Sequence, residues 1–286
     1  MIYFTIILTV IFVVLFPGDS FAWGPATHLD IGWKILNNTH GLAAGIKALI
    51  DTFPYDFLYG NISADIVVAK NLVREHNHCH NWKVGKLVLS SAKSDSQKAF
   101  AYGYLSHLAA DTVAHNEFIP EMMVRSFSTI IHRHIYWELR FDALAKRSVW
   151  SLPDKIAGQV HEDNDMLLNS VITGTPLPFR ANKRIFSSVL NLHKVDSWHK
   201  MIYRLSEGSL WALHKEDKDR WFALALDRVE GLLKDFDNAP CFSLDPIGRK
   251  NLKEALLVRK RLKKMKRRGV DYSDALEEAL SVFRAV

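Results

Sequence analysis

Residues 99–115 read AFAYGYLSHLAADTVAH. Apolar side chains recur there at three- and four-residue intervals, the spacing of a helix face, and nothing in the stretch alternates as a half-buried strand would. Within that apolar setting His107, Asp111 and His115 stand four residues apart. On a helix they form one stripe up two turns, so all three can reach a common point. Tyr104, Leu105, Leu108, Ala109 and Ala110 surround the stripe, which predicts that Asp111 is shielded from water. A buried carboxylate needs a counter-charge, and a divalent cation supplies one. Residues 122–145, MMVRSFSTIIHRHIYWELRFDALA, repeat the pattern and set His134 and Glu138 one turn apart on one face, with Asp142 a further turn along. Either stripe alone reads equally well as a core histidine or an i,i+4 ion pair. The two together point to metal.

Working outward, helical spacing persists from Leu29 to about residue 240, strand-like alternation is scarce, and the chain reads as all-α. Breaks are expected at Pro54, Gly60, Pro120, Pro153, the GTPLPF stretch at 174–179, and Pro240 to Pro246. No repeat or low-complexity tract interrupts it. The chain has 286 residues, of which 48% are hydrophobic, so one large domain, with or without an appendage, can bury a full core. Cys79 and Cys241 are the only cysteines, which excludes a disulfide scaffold. They could pair in an exported chain, Cys79 could ligate metal, or each could be a buried thiol.

Residues 2–17 are almost wholly apolar and end in Pro17, Gly18 and Ser20-Phe21-Ala22, with small residues where a signal peptidase requires them. The expected organisation is a signal peptide over 1–22, a helical domain over 23–240 and a basic amphipathic helical extension over 241–286. Cleavage after Ala22 would export the chain, to the periplasm or beyond, with Trp23 as its first residue; the other reading is an uncleaved membrane anchor. A free Trp23 amine and its carbonyl can chelate a metal as a five-membered ring, with His28 as a further ligand. Asp65 in LYGNISADIV is a short carboxylate in an uncharged stretch, and His76, His78 and His80 follow in EHNHCHNW. If the latter segment is extended its histidines alternate in direction, so one or two of them converge. His161, beside Glu162, Asp163 and Asp165, reads as a solvated loop.

Taken in order, Trp23-Gly-Pro-Ala-Thr-His28, Asp65 in GNISADIV, HCHNW, His107-x3-Asp111-x3-His115 and His134-x3-Glu138 resemble the bacterial zinc-dependent phospholipase C family, over residues 23–145 or so. Single-strand-specific zinc nucleases share the ligand order. The resemblance implies an all-α domain with three zinc ions in a cleft. It assigns one zinc to Asp65, His80 or His78, His107 and Asp111; a second to His115, His134 and Glu138; and a third to the Trp23 amine and carbonyl, His28 and a bridging Asp111. The chemistry implied is hydrolysis of a phosphodiester by zinc-activated water. Asp65 is the expected catalytic residue, orienting or deprotonating that water.

Eight of the ten residues from Arg259 to Arg268 are basic, with Leu262 and Met265 between them. Such a helix suits an anionic membrane surface, a nucleic acid or plain solvent. The lack of aromatic residues in the run argues against base stacking. Three functions are therefore expected, in this order: a phospholipase C-type enzyme acting on phospholipid headgroups, a single-strand zinc nuclease, and a non-enzymatic metal-binding envelope protein.

Overall fold

The computed structural model describes residues 23–68, 70, 73, 78–129, 134–145, 147–157, 161–193 and 213–284. The expected signal segment, 1–22, lies outside them, as do His76 and the side chain of His134. Every regular element among the described residues is helical: α1 (Pro25–Leu36), α2 (Ala44–Thr52), α3 (Pro54–Ser63), α4 (Trp82–Ser91), α5 (Asp95–Val113), α6 (Ile119–Arg125), α7 (His134–Ala143), α8 (Leu152–Ala157), α9 (Glu162–Val171), α10 (Phe179–His193), α11 (Lys215–Lys234), α12 (Arg249–Arg267) and α13 (Ser273–Arg284). A π turn, Ala114–Phe118, joins α5 to α6. Among the described residues no helix is long and apolar enough to cross a membrane.

The centre of the fold is α5. Its start is fixed locally: the Ser94 hydroxyl accepts the Gln97 N–H at 3.2 Å, and the Gln97 side chain accepts the Lys93 N–H at 2.7 Å. Such reciprocal bonds satisfy donors that the first turn would otherwise leave unpaired. Beyond that start α5 is buried on nearly every side, as a helix that is apolar all round must be. Leu105, Ala109 and Val113 pack with Ile31 and Ile35 of α1 and Trp221 and Ala225 of α11. Tyr104 and Leu108 pack on the other flank with Leu58 and Ile62 of α3 and Val84 and Val88 of α4.

Gly60 does not end a helix, as its composition suggested it would. It lies inside α3 because α3 and α5 touch backbone to backbone. A β-carbon on Gly60 would fall 2.0 Å from the Phe100 carbonyl oxygen, and one on Gly103 would fall 2.0 Å from that of Phe57. The two glycines thus face each other across the crossing, where no side chain fits.

The stretch 122–145 is likewise not one helix: α6 ends at Arg125 and α7 begins at His134. The carbonyls released near the end of α6 are taken by Arg259, whose guanidinium donates to Met123 O at 3.2 Å, Ser126 O at 3.1 Å and Thr129 O at 2.6 Å. Arg259 is only 3% exposed, so the basic run is not a uniform solvated face. On the same helix Ala255 and Leu262, and on α13 Ala279, Leu280 and Phe283, join the cluster that covers α5.

Candidate metal centre

Tight packing of α3 on α5 delivers the Asn61 carbonyl oxygen to His107 Nδ1, 2.8 Å away. A carbonyl can only accept, so Nδ1 carries the proton and Nε2 is left with a free lone pair, the usual arrangement for a metal-binding imidazole. That lone pair faces His80 Nε2 at 3.1 Å and Asp111 Oδ2 at 3.3 Å. His80 Nε2 in turn lies 3.2 Å from Asp111 Oδ2 and 3.3 Å from Asp65 Oδ1. Nitrogen and oxygen ligands about 2.05 Å from a tetrahedral zinc stand about 3.3 Å apart. The four separations match the edge length of such a tetrahedron.

His28 stands on the other side of Asp111. Its ring stacks on that of His107, with centroids 3.8 Å apart and planes 15° apart, and its Nε2 is 3.3 Å from Asp111 Oδ1. Both oxygens of Asp111 and both ring nitrogens of His28 are buried without a hydrogen-bond partner among the described residues. Polar atoms this close yet not aligned on one another are aimed at shared points between them. A buried carboxylate left in that state is costly, and a cation removes the cost. The donor set, imidazole nitrogen with carboxylate oxygen, suits zinc.

Charge in the centre follows from this crowding. Burial alone would raise the Asp65 carboxyl, but the Lys70 ammonium and the His107 and His80 rings hold it well below its ordinary value. Burial would also raise Asp111, and His107, His28 and His80 overcome that to hold it low. His28 is lowered by burial and by the neighbouring His107. Glu138 is buried on α7; burial pushes it well above the usual carboxylate range, and the charges of Asp65, Asp142 and Asp111 reinforce that against the pull of Lys70.

Most of the residues expected from sequence converge, but not all do so in the expected way. Two groups meet at His107: Asp65, His80 and His107 in one, and His28, His107 and Asp111 in the other, with the ligand atoms of each within 4.8 Å of one another. His78 falls in a separate group with Cys79 and His80, its Nδ1 accepting the His80 N–H at 3.1 Å, and burial with the charges of His80, Lys70 and Arg249 lowers its pKa to about 2. Of the HCH triplet it is His80 that reaches Asp65, His107 and Asp111. His115 is buried, but it stands on the π turn rather than on α5, so the stripe His107–Asp111–His115 is not one straight α-helical face. With the His134 side chain outside the described residues, the group of His115, His134 and Glu138 is represented by its first and last members. His161 is not on a solvated loop: it is buried, stacked on Tyr59 and 3.3 Å from Asp56 Oδ1, where it serves packing.

Lys70 was not singled out beforehand, and Cys79 and Asp142 take roles other than that of a stripe ligand. Lys70 Nζ lies 2.8 Å from Asp65 Oδ1 and 3.3 Å from His80 Nε2; a lone lysine closing an apolar run gave no signal. Cys79 is a free, buried thiol whose Sγ lies 3.2 Å from His80 Nδ1, and Cys241 is also free, so the two are not paired. Asp142 of α7 takes up the first turn of α1: its carboxylate accepts the Ala26 N–H at 3.2 Å, the Thr27 N–H at 3.1 Å and the Thr27 hydroxyl at 2.5 Å. That anchors the segment between Trp23 and His28. Trp23 itself is buried, its ring stacked 4.7 Å from Phe141.

The helical scaffold brings histidines and carboxylates together at zinc-ligand separations around its central helix, the arrangement of a metal-binding protein. A family model described as zinc-dependent phospholipase C matches residues 27–208, and the chain belongs to that family. It is thus a zinc-dependent phosphodiesterase hydrolase. The matched region includes His28, Asp65, His78, His80, His107, Asp111, His115, His134 and Glu138, and it leaves out Trp23 and α11 to α13. No curated protein and no solved structure matches.

Proposed function

We propose that this protein is an exported phospholipase C that cleaves phospholipids between glycerol and phosphate, using three zinc ions. The observation that carries the reading is the meeting of Asp65, His80, His107 and Asp111, four of whose ligand-atom separations are 3.1 to 3.3 Å, in a member of this family. Those four residues would hold one zinc. His28 and Asp111, with the Trp23 amine and carbonyl once residues 1–22 are removed, would hold another. His115, His134 and Glu138 would hold the third. Bound zinc supplies Lewis acidity at the phosphoryl oxygens and lowers the pKa of water.

The chain's own groups do the rest. Asp65 is kept ionised by Lys70 and accepts the proton of the attacking water. Water adds to phosphorus, the bond to the glycerol oxygen breaks, that oxygen takes the proton Asp65 had accepted, and diacylglycerol leaves with a phosphorylated headgroup as the second product. Asn61 fixes the tautomer of His107 through its carbonyl, and Asp142 holds the first turn of α1, from which His28 reaches Asp111. Burial of the cluster keeps bulk water from competing for these contacts.

The test is metal analysis and hydrolysis by the protein beginning at Trp23, beside a form with one extra residue before it. Expected are three zincs and release of phosphorylated headgroup from short-chain phosphatidylcholine, with one zinc fewer in the extended form. Release of nucleotides from single-stranded DNA without lipid hydrolysis would replace the phospholipase reading with a nuclease; zinc without any hydrolysis would leave a metal-binding envelope protein.

A further inference from the structure

We propose that the outward face of α12 is a docking surface for anionic lipid bilayers. The protein's positive charge is concentrated there. Residues 249–268 hold eleven of the 37 lysines and arginines and one of the 31 acids, so the chain's net +6 is +10 in this segment and −4 everywhere else. The helix then sorts that charge. At about 100° per residue, Lys253, Leu256, Leu257, Lys260, Arg261, Lys264 and Arg267 fall within an arc of roughly 140°, and each of them is exposed. Ala255, Arg259 and Leu262 lie opposite and are buried. Lys263 is drawn toward the inner side, where it donates to Thr129 O at 3.1 Å. Glu254, the only acid of the helix, sits just outside the arc.

Two leucines on this basic face, Leu256 at one edge of the arc and Leu257 within it, are the second observation. Leu256 is 41% and Leu257 57% exposed, and Lys253 and Lys260 fall between them around the helix. Water is a poor environment for them. The boundary of an anionic bilayer suits both halves of the face, attracting the cations to lipid phosphates while the leucines enter the acyl region. A nucleic acid would meet the charge but not the leucines, and no aromatic side chain on the arc offers a base a stacking surface.

The helix is also rooted beside His115, a proposed zinc ligand. Gly248, at φ +63, precedes its first turn, and a β-carbon there would lie 2.4 Å from the His115 carbonyl oxygen. Asn251 donates to the Asn116 carbonyl oxygen at 2.9 Å. A bilayer held by α12 is therefore held by an element packed directly on the π turn that carries His115. This gives the phospholipase reading a means of finding its substrate, and it rests on that reading for its purpose only, because binding is measurable without hydrolysis.

The experiment is co-sedimentation of the full mature protein with vesicles of phosphatidylglycerol mixed with phosphatidylcholine, and with vesicles of phosphatidylcholine alone. The variant K260E/R261E/K264E is run beside wild type, as is L256S/L257S. Each basic residue near an anionic surface contributes about a fivefold gain, so the triple reversal should weaken binding at least about a hundredfold. The leucine pair should weaken it while leaving its salt dependence intact. Hydrolysis of monomeric short-chain phosphatidylcholine should stay at wild-type level in the triple variant; if wild type itself does not hydrolyse it, the substrate reading fails while the vesicle result stands. Equal binding of wild type and triple variant, equal binding to neutral vesicles, or wild-type binding indifferent to high salt would each overturn the proposal. So would tight oligonucleotide binding with none to vesicles. The salt series uses wild type alone and decides the matter even if a variant fails to fold.

Discussion

Replacing Gly103 with alanine tests whether the metal centre depends on the α3–α5 crossing. The new methyl carbon would lie 2.0 Å from the Phe57 carbonyl oxygen, 2.9 Å from its carbon and 3.0 Å from the Asn61 nitrogen. Those atoms are backbone and cannot swing aside. An ordinary contact needs α3 to move out by roughly 1 Å, and over-packing of this kind costs about 1–3 kcal/mol or more. The same movement carries the Asn61 carbonyl from 2.8 Å toward or past the limit of a hydrogen bond to His107 Nδ1. Loss of such an outer-shell bond weakens metal binding about 10- to 100-fold. Gly231→Ala is the control, since a β-carbon at Gly231, inside α11, meets nothing within 4 Å; it should stabilise by about 0.5–1 kcal/mol. The assays are thermal melting of the metal-free proteins and zinc titration against a competing chelator. Gly103→Ala should melt roughly 2–12 °C below wild type and bind zinc more weakly, while Gly231→Ala should melt no lower than wild type and bind zinc equally. If Gly103→Ala matched the control in both assays, the glycine crossing would not be what sets His107.

Two further outcomes follow from buried charge. Arg259→Met removes a guanidinium bonded to three carbonyls and should cost about 2–4 kcal/mol in denaturant unfolding, whereas Arg261→Ala, on the exposed side, should stay within about 0.5 kcal/mol; equal effects would mean that Arg259 is merely one more surface base. Asp142 has its carboxyl raised from 3.8 to about 6, chiefly by burial against the bonds from Thr27 and Ala26. The unfolded chain therefore releases this proton first, and the metal-free protein should lose stability as pH rises between those two values, by on the order of 3 kcal/mol for this group, with no further loss from it above. Subtracting the stability profile of Asp142→Asn from that of wild type isolates the slope; a flat difference would refute the assignment.

Much of this was legible in the chain. The spacing in residues 99–113 specifies a helix, and the near-continuous apolar character around His107 and Asp111 specifies that it is central, because a helix apolar all round has no stable place at the surface. Residue type alone names imidazole and carboxylate donors, and helical geometry alone puts His107 beside Asp111. The basic, leucine-bearing character of α12 is also visible as periodicity. Contacts between distant segments are another matter, because they depend on which backbones can approach and on which groups lose water together. Gly60 reads as a helix breaker until α5 is laid against α3. Lys70 reads as a surface lysine until Asp65 is buried beside it, and Asp142 reads as another candidate ligand until α1 is seen to end on its carboxylate. His78 and His80 are equivalent in the sequence; the turn that brings the His80 imidazole to Asp65, His107 and Asp111 exists only in three dimensions. Local chemistry determined which atoms were available to bind metal, and packing decided which of them meet.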